Sequence, residues 1–285
     1  MSIILWPRRL GLLLLCAVAA LPSRAQEDRA VERVLFIGNS YVYYNNLPEL
    51  VEAIAAELDG PLLQMEAHTH GGFTLQAHLD DGHVEELLKR GDPDGEPWTA
   101  VILQEQSSLG GRGRNGVLAA PDEFLAAVMQ LDSLIDAAGS DMYLYMTWAK
   151  EWIPGQTDAL ARAYTDAGEM TGASVAPVGL AWARVRKERP DLGLYQSDGS
   201  HPSEPGSYLA ACVIYSQLAG QSAEGAPSVI TGGPWRNGAA GRAAVQAATE
   251  NVITLVSLDA DDAGYLQRVA WEVVEEYRLS KAGAR

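Results

Sequence analysis

Cysteine is scarce in this chain: only Cys16 and Cys212 occur in its 285 residues. Cys16 lies in an N-terminal apolar run, and without that run no intrachain disulfide can form. A core of packed side chains then has to hold the fold. Cys212 falls in an apolar helical stretch and reads as a small core residue rather than a nucleophile. Positive charge is also scarce, with 21 Lys and Arg against 37 Asp and Glu, a net charge of −16. Such a chain repels nucleic acid and anionic membrane surfaces. The long apolar run is confined to Leu10–Leu21, about twelve residues, short of the about 20 that a membrane helix needs. No internal repeat and no low-complexity block is present, which excludes repeat architectures.

The N-terminus carries its own pattern. Arg8 and Arg9 precede the apolar run, and Ser23-Arg24-Ala25 follows it. That order predicts a secretory signal peptide over residues 1–25, cleaved after Ala25, and a secreted or periplasmic protein. The alternative is an uncleaved anchor. Lipid attachment at Cys16 fits less well, because bulky Leu15 precedes it. Cleavage would leave about 260 residues with a net charge of −19 and no membrane span. Residues 26–285 are expected to form one domain.

Strand and helix patterns alternate from Val34 to about Gly220. Val34-Leu35-Phe36-Ile37 and Ala100-Val101-Ile102-Leu103 are continuous apolar runs. Leu63–Ala67, Met142–Met146 and Ala173–Val178 are further strand candidates. Runs of this kind suit strands buried on both faces of a parallel sheet. Between them, Leu47, Leu50, Val51, Ile54 and Leu58 keep helical spacing, with Pro48 tolerated near the start. Phe124, Val128, Leu131, Ile135 and Ala138 do the same. Ala159–Met170 and the largely apolar Ser207–Leu218 are further helices. Leu266, Val269, Ala270, Val273, Val274 and Tyr277 form one stripe near the C-terminus. The alternation predicts an α/β domain with a mainly parallel sheet and right-handed crossovers. The Gly110–Gly116 stretch reads as a loop after a strand, and Gly220–Gly241 as a segment crossing the surface.

Ligands of an open parallel sheet bind outside the carboxyl ends of its strands. There the sequence places Gly38-Asn39-Ser40-Tyr41, His70-Gly71-Gly72-Phe73-Thr74, Gln104-Glu105-Gln106-Ser107 and Asp198-Gly199-Ser200-His201-Pro202. Each is an ordinary turn when taken alone. In this order, over roughly Val34–Leu218, they resemble the blocks of the SGNH (GDSL-like) hydrolase superfamily, in a bacterial branch that also shows Leu-Gln-Glu-Gln-Ser and Asp-Gly-Ser-His-Pro-Ser. Two departures stand out. Asn39 occupies the usual Asp position of Gly-Asp-Ser, and the third block has Gln106 where the family carries Asn.

The resemblance implies a three-layer α/β/α sandwich of the SGNH/flavodoxin-like kind and a serine esterase needing no cofactor or metal. Ser40 would be the nucleophile, His201 its base and Asp198 the partner that fixes the imidazole. The backbone N–H groups of Ser40 and Gly72, with the Gln106 side chain in place of the missing Asn, would form the oxyanion hole. The expected substrate is a small acyl ester, with an O-acetyl group on a carbohydrate as the leading choice. A non-catalytic carbohydrate-binding protein on the same scaffold is the alternative, and the oligomeric state is left open.

Other residues admit two readings. His68, His70, His78 and His83, near Asp80 and Asp81, suggest either a zinc site or ordinary loop and helix-surface histidines. The spacing of the third ligand is not distinctive, so the second reading is preferred. His78 is a candidate to line the pocket. Trp148 and Trp152 follow the fourth strand, as candidates to stack on sugar or as loop packing. Glu105 alternates in face with Gln104 and Gln106 and receives no role.

Overall fold

The computed structural model describes residues 29–109, 118–234 and 251–283. The signal-peptide and Gly110–Gly116 expectations, and the end of the Gly220–Gly241 stretch, lie outside them. Five strands build the main sheet: β1 (Val31–Gly38), β2 (Leu62–Thr69), β3 (Ala100–Leu103), β4 (Asp141–Tyr145) and β5 (Ser174–Ala176). They run parallel in the order β2-β1-β3-β4-β5. Helices follow the strands in sequence: α1 (Ser40–Tyr43), α2 (Leu47–Glu57), α3 (Leu75–Asp81), α4 (Val84–Arg90), α5 (Pro121–Ala138), α6 (Thr157–Thr171), α7 (Val178–Glu188), α8 (Glu204–Ala219) and α9 (Ala260–Ala282).

The alternation of strand side chains sorts the core into two halves. Val34 and Phe36 of β1 pack with Leu50, Val51 and Ile54 of α2, Trp182 of α7, Leu209 and Val213 of α8, and Leu266 and Val273 of α9. Leu35 and Ile37, on the other face, pack with Leu75 of α3, Leu88 of α4, Phe124, Val128 and Leu131 of α5, and Leu160 and Tyr164 of α6. The result is the expected three-layer α/β/α arrangement around a parallel sheet. Each large apolar side chain so buried contributes about 1.5–3 kcal/mol.

Helix α8 is buried on nearly every side, from Gly206 to Ser216, because α2 and α9 flank it while the sheet edge lies beneath. Cys212 sits in it with no exposure. Burial pushes its thiol well above the usual range, so it stays protonated, in line with a core role. No described helix is long and apolar enough to cross a membrane.

Several elements add to the expected ones. α3, α4 and α7 fall in stretches whose helical signal is short or amphipathic. Strands β6 (Val229–Gly232) and β7 (Ile253–Ser257) form a separate antiparallel pair, within and beyond the segment read as a plain surface crossing. Their pairing joins distant pieces of chain, which local periodicity does not reveal. The pair is tied to the start of α2: the Gly233 N–H donates to the Glu49 carboxylate, and Asn46 Nδ2 donates to the Gly233 carbonyl at 2.9 Å.

Candidate active site

Strand order reverses direction of travel between β1 and β3, and that switch point opens a crevice at their carboxyl ends. Ser40 enters it as the first residue of α1, directly after β1. Asn39 holds the turn from three sides. Its Oδ1 accepts the Tyr41 N–H at 3.2 Å, its Nδ2 donates to the Phe73 carbonyl at 2.8 Å, and its own N–H donates to Gln104 Oε1 at 2.8 Å. A carboxylate cannot donate, so Asn at this position provides a bond to the 70–74 loop that Asp would not. Gly38 is needed for a close approach: a Cβ there would lie 2.6 Å from Gln104 Oε1 and 2.9 Å from Val42.

The structure brings Ser40, His201 and Asp198 into one line. Ser40 Oγ lies 2.8 Å from His201 Nε2, and His201 Nδ1 lies 2.5 Å from Asp198 Oδ2. The other carboxylate oxygen, Oδ1, accepts the N–H groups of Ser200 and His201, both at 2.9 Å. Partial burial by itself would raise the Asp198 carboxyl. The bonds from His201 and from the two N–H groups outweigh it and hold the carboxyl below the usual range. Asp198 therefore stays ionised to face the imidazole. Geometry of this kind allows the imidazole to take the serine proton and the carboxylate to stabilise the imidazolium.

Aromatic rings fix the imidazole from two directions. Tyr44 stacks on His201 with centroids 4.2 Å apart, and Tyr41 meets it edge-on at 5.6 Å. Tyr41 OH bonds Ser200 Oγ at 2.7 Å, and burial pushes this phenol up to about 12. Asn45 ties the Ser40 segment to the His201 segment: its Nδ2 donates to the carbonyls of Pro202 and Ser203 and to Ser207 Oγ. Asn45 and Asn46 both sit in the left-handed region, at φ of 51° and 49°, which Asn tolerates better than most residues. Nothing in the sequence singled out Tyr44 or Asn45, and Gln104 stood out only as a member of the third block, a pocket candidate with no hint that it holds the Asn39 N–H. For Asn45 the Asn-Asn pair before a helix was the available signal.

The other predicted site residues fall as follows. Gly72 is exposed at a φ of +75°, and its loop adjoins the Ser40 turn through the Asn39–Phe73 bond and the His70 N–H donating to the Gly38 carbonyl at 3.2 Å. The Gln106 amide is turned along its own loop: Nε2 donates to Ser107 Oγ at 3.1 Å and Oε1 accepts the Ser108 N–H at 2.9 Å. Glu105 is buried and accepts the Leu75 N–H at 3.0 Å and the Gln106 N–H at 2.5 Å. It thus braces the start of α3, a positioning task that alternation along the strand left unassigned.

Two expectations need correction. Trp148 is only 1% exposed. It stacks on Tyr41 at 4.5 Å and on Trp182 at 3.7 Å, and its Nε1 donates to the Ser200 carbonyl at 3.0 Å. It is a pillar under the Asp198–His201 turn, not a surface for substrate. His78 has no exposure either. Burial pushes its imidazole down to about 4, and its Nε2 lies 2.8 Å from the Gly38 carbonyl, so it props the end of β1 instead of lining an open pocket.

Gln104 carries a prediction. Gln104→Ala removes the acceptor of the buried Asn39 N–H, and an orphaned buried donor costs about 1–3 kcal/mol. The variant is expected to unfold at lower urea concentration and to lose turnover, because the Ser40 turn loosens. An unchanged unfolding midpoint would show that water replaces the bond.

Neither a family model nor a curated protein matches the sequence. Solved structures do. A candidate SGNH hydrolase from Slackia heliotrinireducens is 27% identical over 66% of this chain and 99% of its own, with a TM-score of 0.53. A DUF4886 family protein from Bacteroides uniformis is 16% identical over 86% of this chain and 95% of its own, with a TM-score of 0.57. The acetyl xylan esterase AlAXEase is 14% identical over 65% of this chain and 98% of its own, at 0.50. The chain has the fold of the SGNH, or GDSL-like, hydrolases.

Proposed function

We propose that this protein is a secreted serine esterase. The observation that carries the reading is the continuous run from Ser40 Oγ through His201 to Asp198, at 2.8 and 2.5 Å. His201 takes the proton of Ser40 as its Oγ attacks the acyl carbon. Negative charge moves to the carbonyl oxygen, where the N–H groups of Ser40 and Gly72 receive it, with the Gln106 amide as third donor. Gln106 Nε2 carries two protons, of which Ser107 Oγ takes one, and the Ser108 N–H anchors the oxygen end of the amide. One such donor is worth about 10²–10³ in rate. His201 then gives its proton to the leaving alcohol, and water, activated by the same imidazole, releases the acid.

The substrate class we favour is an O-acetylated carbohydrate. Trp152 is 60% exposed and lies against Gly199 of the Asp198–His201 turn, within 2.8 Å of where a Cβ would stand. An exposed indole against the turn that carries Asp198 and His201 suits stacking on a sugar ring. The fold likeness to an acetyl xylan esterase agrees with this choice.

The test is covalent labelling by a fluorophosphonate beside turnover of p-nitrophenyl acetate. One adduct per chain, mapped to Ser40, is expected, with acetate released from acetylated xylan. Trp152→Ala should raise KM for the acetylated glycan several-fold and leave p-nitrophenyl acetate turnover near the parent's. Equal effects on both substrates would detach Trp152 from sugar binding. No label and no turnover, with glycan binding retained, would favour a non-catalytic carbohydrate-binding protein.

A further inference from the structure

We propose that His68, His70 and Asp81 form a binding site for a divalent transition-metal ion, zinc by the chemistry of the donors, that clips the end of β2 to the end of α3. One ligand atom from each of the three residues lies within 4.8 Å of the others. His68 is the penultimate residue of β2, His70 follows that strand, and Asp81 closes α3. Two imidazoles and a carboxylate are a donor set that suits zinc, with a position left for a fourth ligand.

Hydrogen bonding alone does not account for the cluster. His68 Nε2 is buried without a partner and stands 3.9 Å from Asp81 Oδ2, too far for a hydrogen bond. Two donors sharing one zinc ion at about 2.0–2.2 Å each stand about 3–4 Å apart. The His68 and His70 rings meet at 83° with centroids 5.0 Å apart, so they do not stack. His83 Nδ1 lies 2.6 Å from Asp81 Oδ2, which orients the carboxylate in the manner of an outer-shell partner. His78 Nδ1 is a second buried, unpartnered imidazole nitrogen, on a ring 5.2 Å from that of His68. Its Nε2 is taken up by the Gly38 carbonyl, the arrangement that leaves Nδ1 a lone pair to offer. It stands beside the three donors rather than among them, and the fourth position is left to another ligand.

The ion would anchor the start of the His70–Thr74 loop in a chain whose described cysteine, Cys212, is free. This clip does not depend on the esterase reading, since none of its residues belongs to the Ser40, Asp198, His201 set.

Zinc titration of chelator-stripped, untagged protein by calorimetry tests the site. One equivalent of Zn²⁺ is expected to bind and to raise the melting temperature. His70→Gln and Asp81→Asn should abolish both effects, while His83→Ala should weaken binding about 10–100-fold, as outer-shell losses do. His201→Ala should bind zinc like the parent; this control matters because His201 is the only histidine outside the cluster among the five in the chain. The two main variants are at half-buried or exposed positions, and circular dichroism will show that they fold. Co²⁺ in place of Zn²⁺ should give visible absorption bands that the same variants lose. No stoichiometric binding, or binding that survives both variants, would overturn the proposal.

Discussion

Ser40→Ala is expected to reduce p-nitrophenyl acetate turnover by on the order of 10⁴–10⁶-fold, the loss seen when a serine nucleophile acting with its base is removed. The hydroxyl is 2.8 Å from His201 Nε2, and no other described hydroxyl shares that bond to the imidazole. Asp198→Asn should cost about 10⁴-fold for a different reason. The asparagine oxygen can still accept the Ser200 and His201 N–H groups, so the turn stands. Its NH₂ cannot accept the proton of His201 Nδ1, so the imidazole is left in the wrong tautomer and its cationic form loses a counter-charge. Both variants should melt near the parent, which separates lost chemistry from lost fold. Initial rates from about pH 6 to 9 on the three proteins check this. Turnover equal in Ser40→Ala and parent would sink the serine mechanism.

Trp148→Ala should produce the largest loss of stability, about 3–5 kcal/mol. The indole is 1% exposed and stacked on both Tyr41 and Trp182, so truncation leaves a cavity beneath the turn that carries Asp198 and His201. Turnover should fall with it, since Tyr41 loses the ring that holds it against Ser200. Trp148→Phe separates the two effects: an aromatic ring stays, but the donor to the Ser200 carbonyl is lost. It should cost about 1–3 kcal/mol and lower kcat more than it raises KM. Urea midpoints measure the first quantity. A Trp148→Ala loss below about 1 kcal/mol would return the residue to the surface role first considered for it.

Much of the fold was legible because burial writes itself into composition. Val34–Ile37 and Ala100–Leu103 are continuous apolar runs, since both faces of a central parallel strand meet helices. Helix α8 is apolar all round for the same reason. The order of the Ser40, Gly72, Gln106 and Asp198–His201 blocks was enough to suggest the superfamily whose fold the chain has. Composition and spacing also settled that the described core has no disulfide to lean on.

The tertiary structure decided what spacing leaves open. Trp148 and Trp152 are four residues apart and alike in sequence, yet one is a buried pillar and the other is 60% exposed, because only packing against Tyr41 and Trp182 distinguishes them. Asp81 reaches His68 and His70 only because the 71–74 segment and α3 carry the chain back to the end of β2, and nothing in the His-x-His spacing contains that return. Gln104, Asn45 and the β6–β7 pair likewise act across 65, 157 or more, and about twenty residues of chain. Local periodicity records how a segment faces the core; it does not record which distant segment arrives beside it. In this protein the strands and the order of the blocks belong to the first kind of information, and the supports of the candidate site belong to the second.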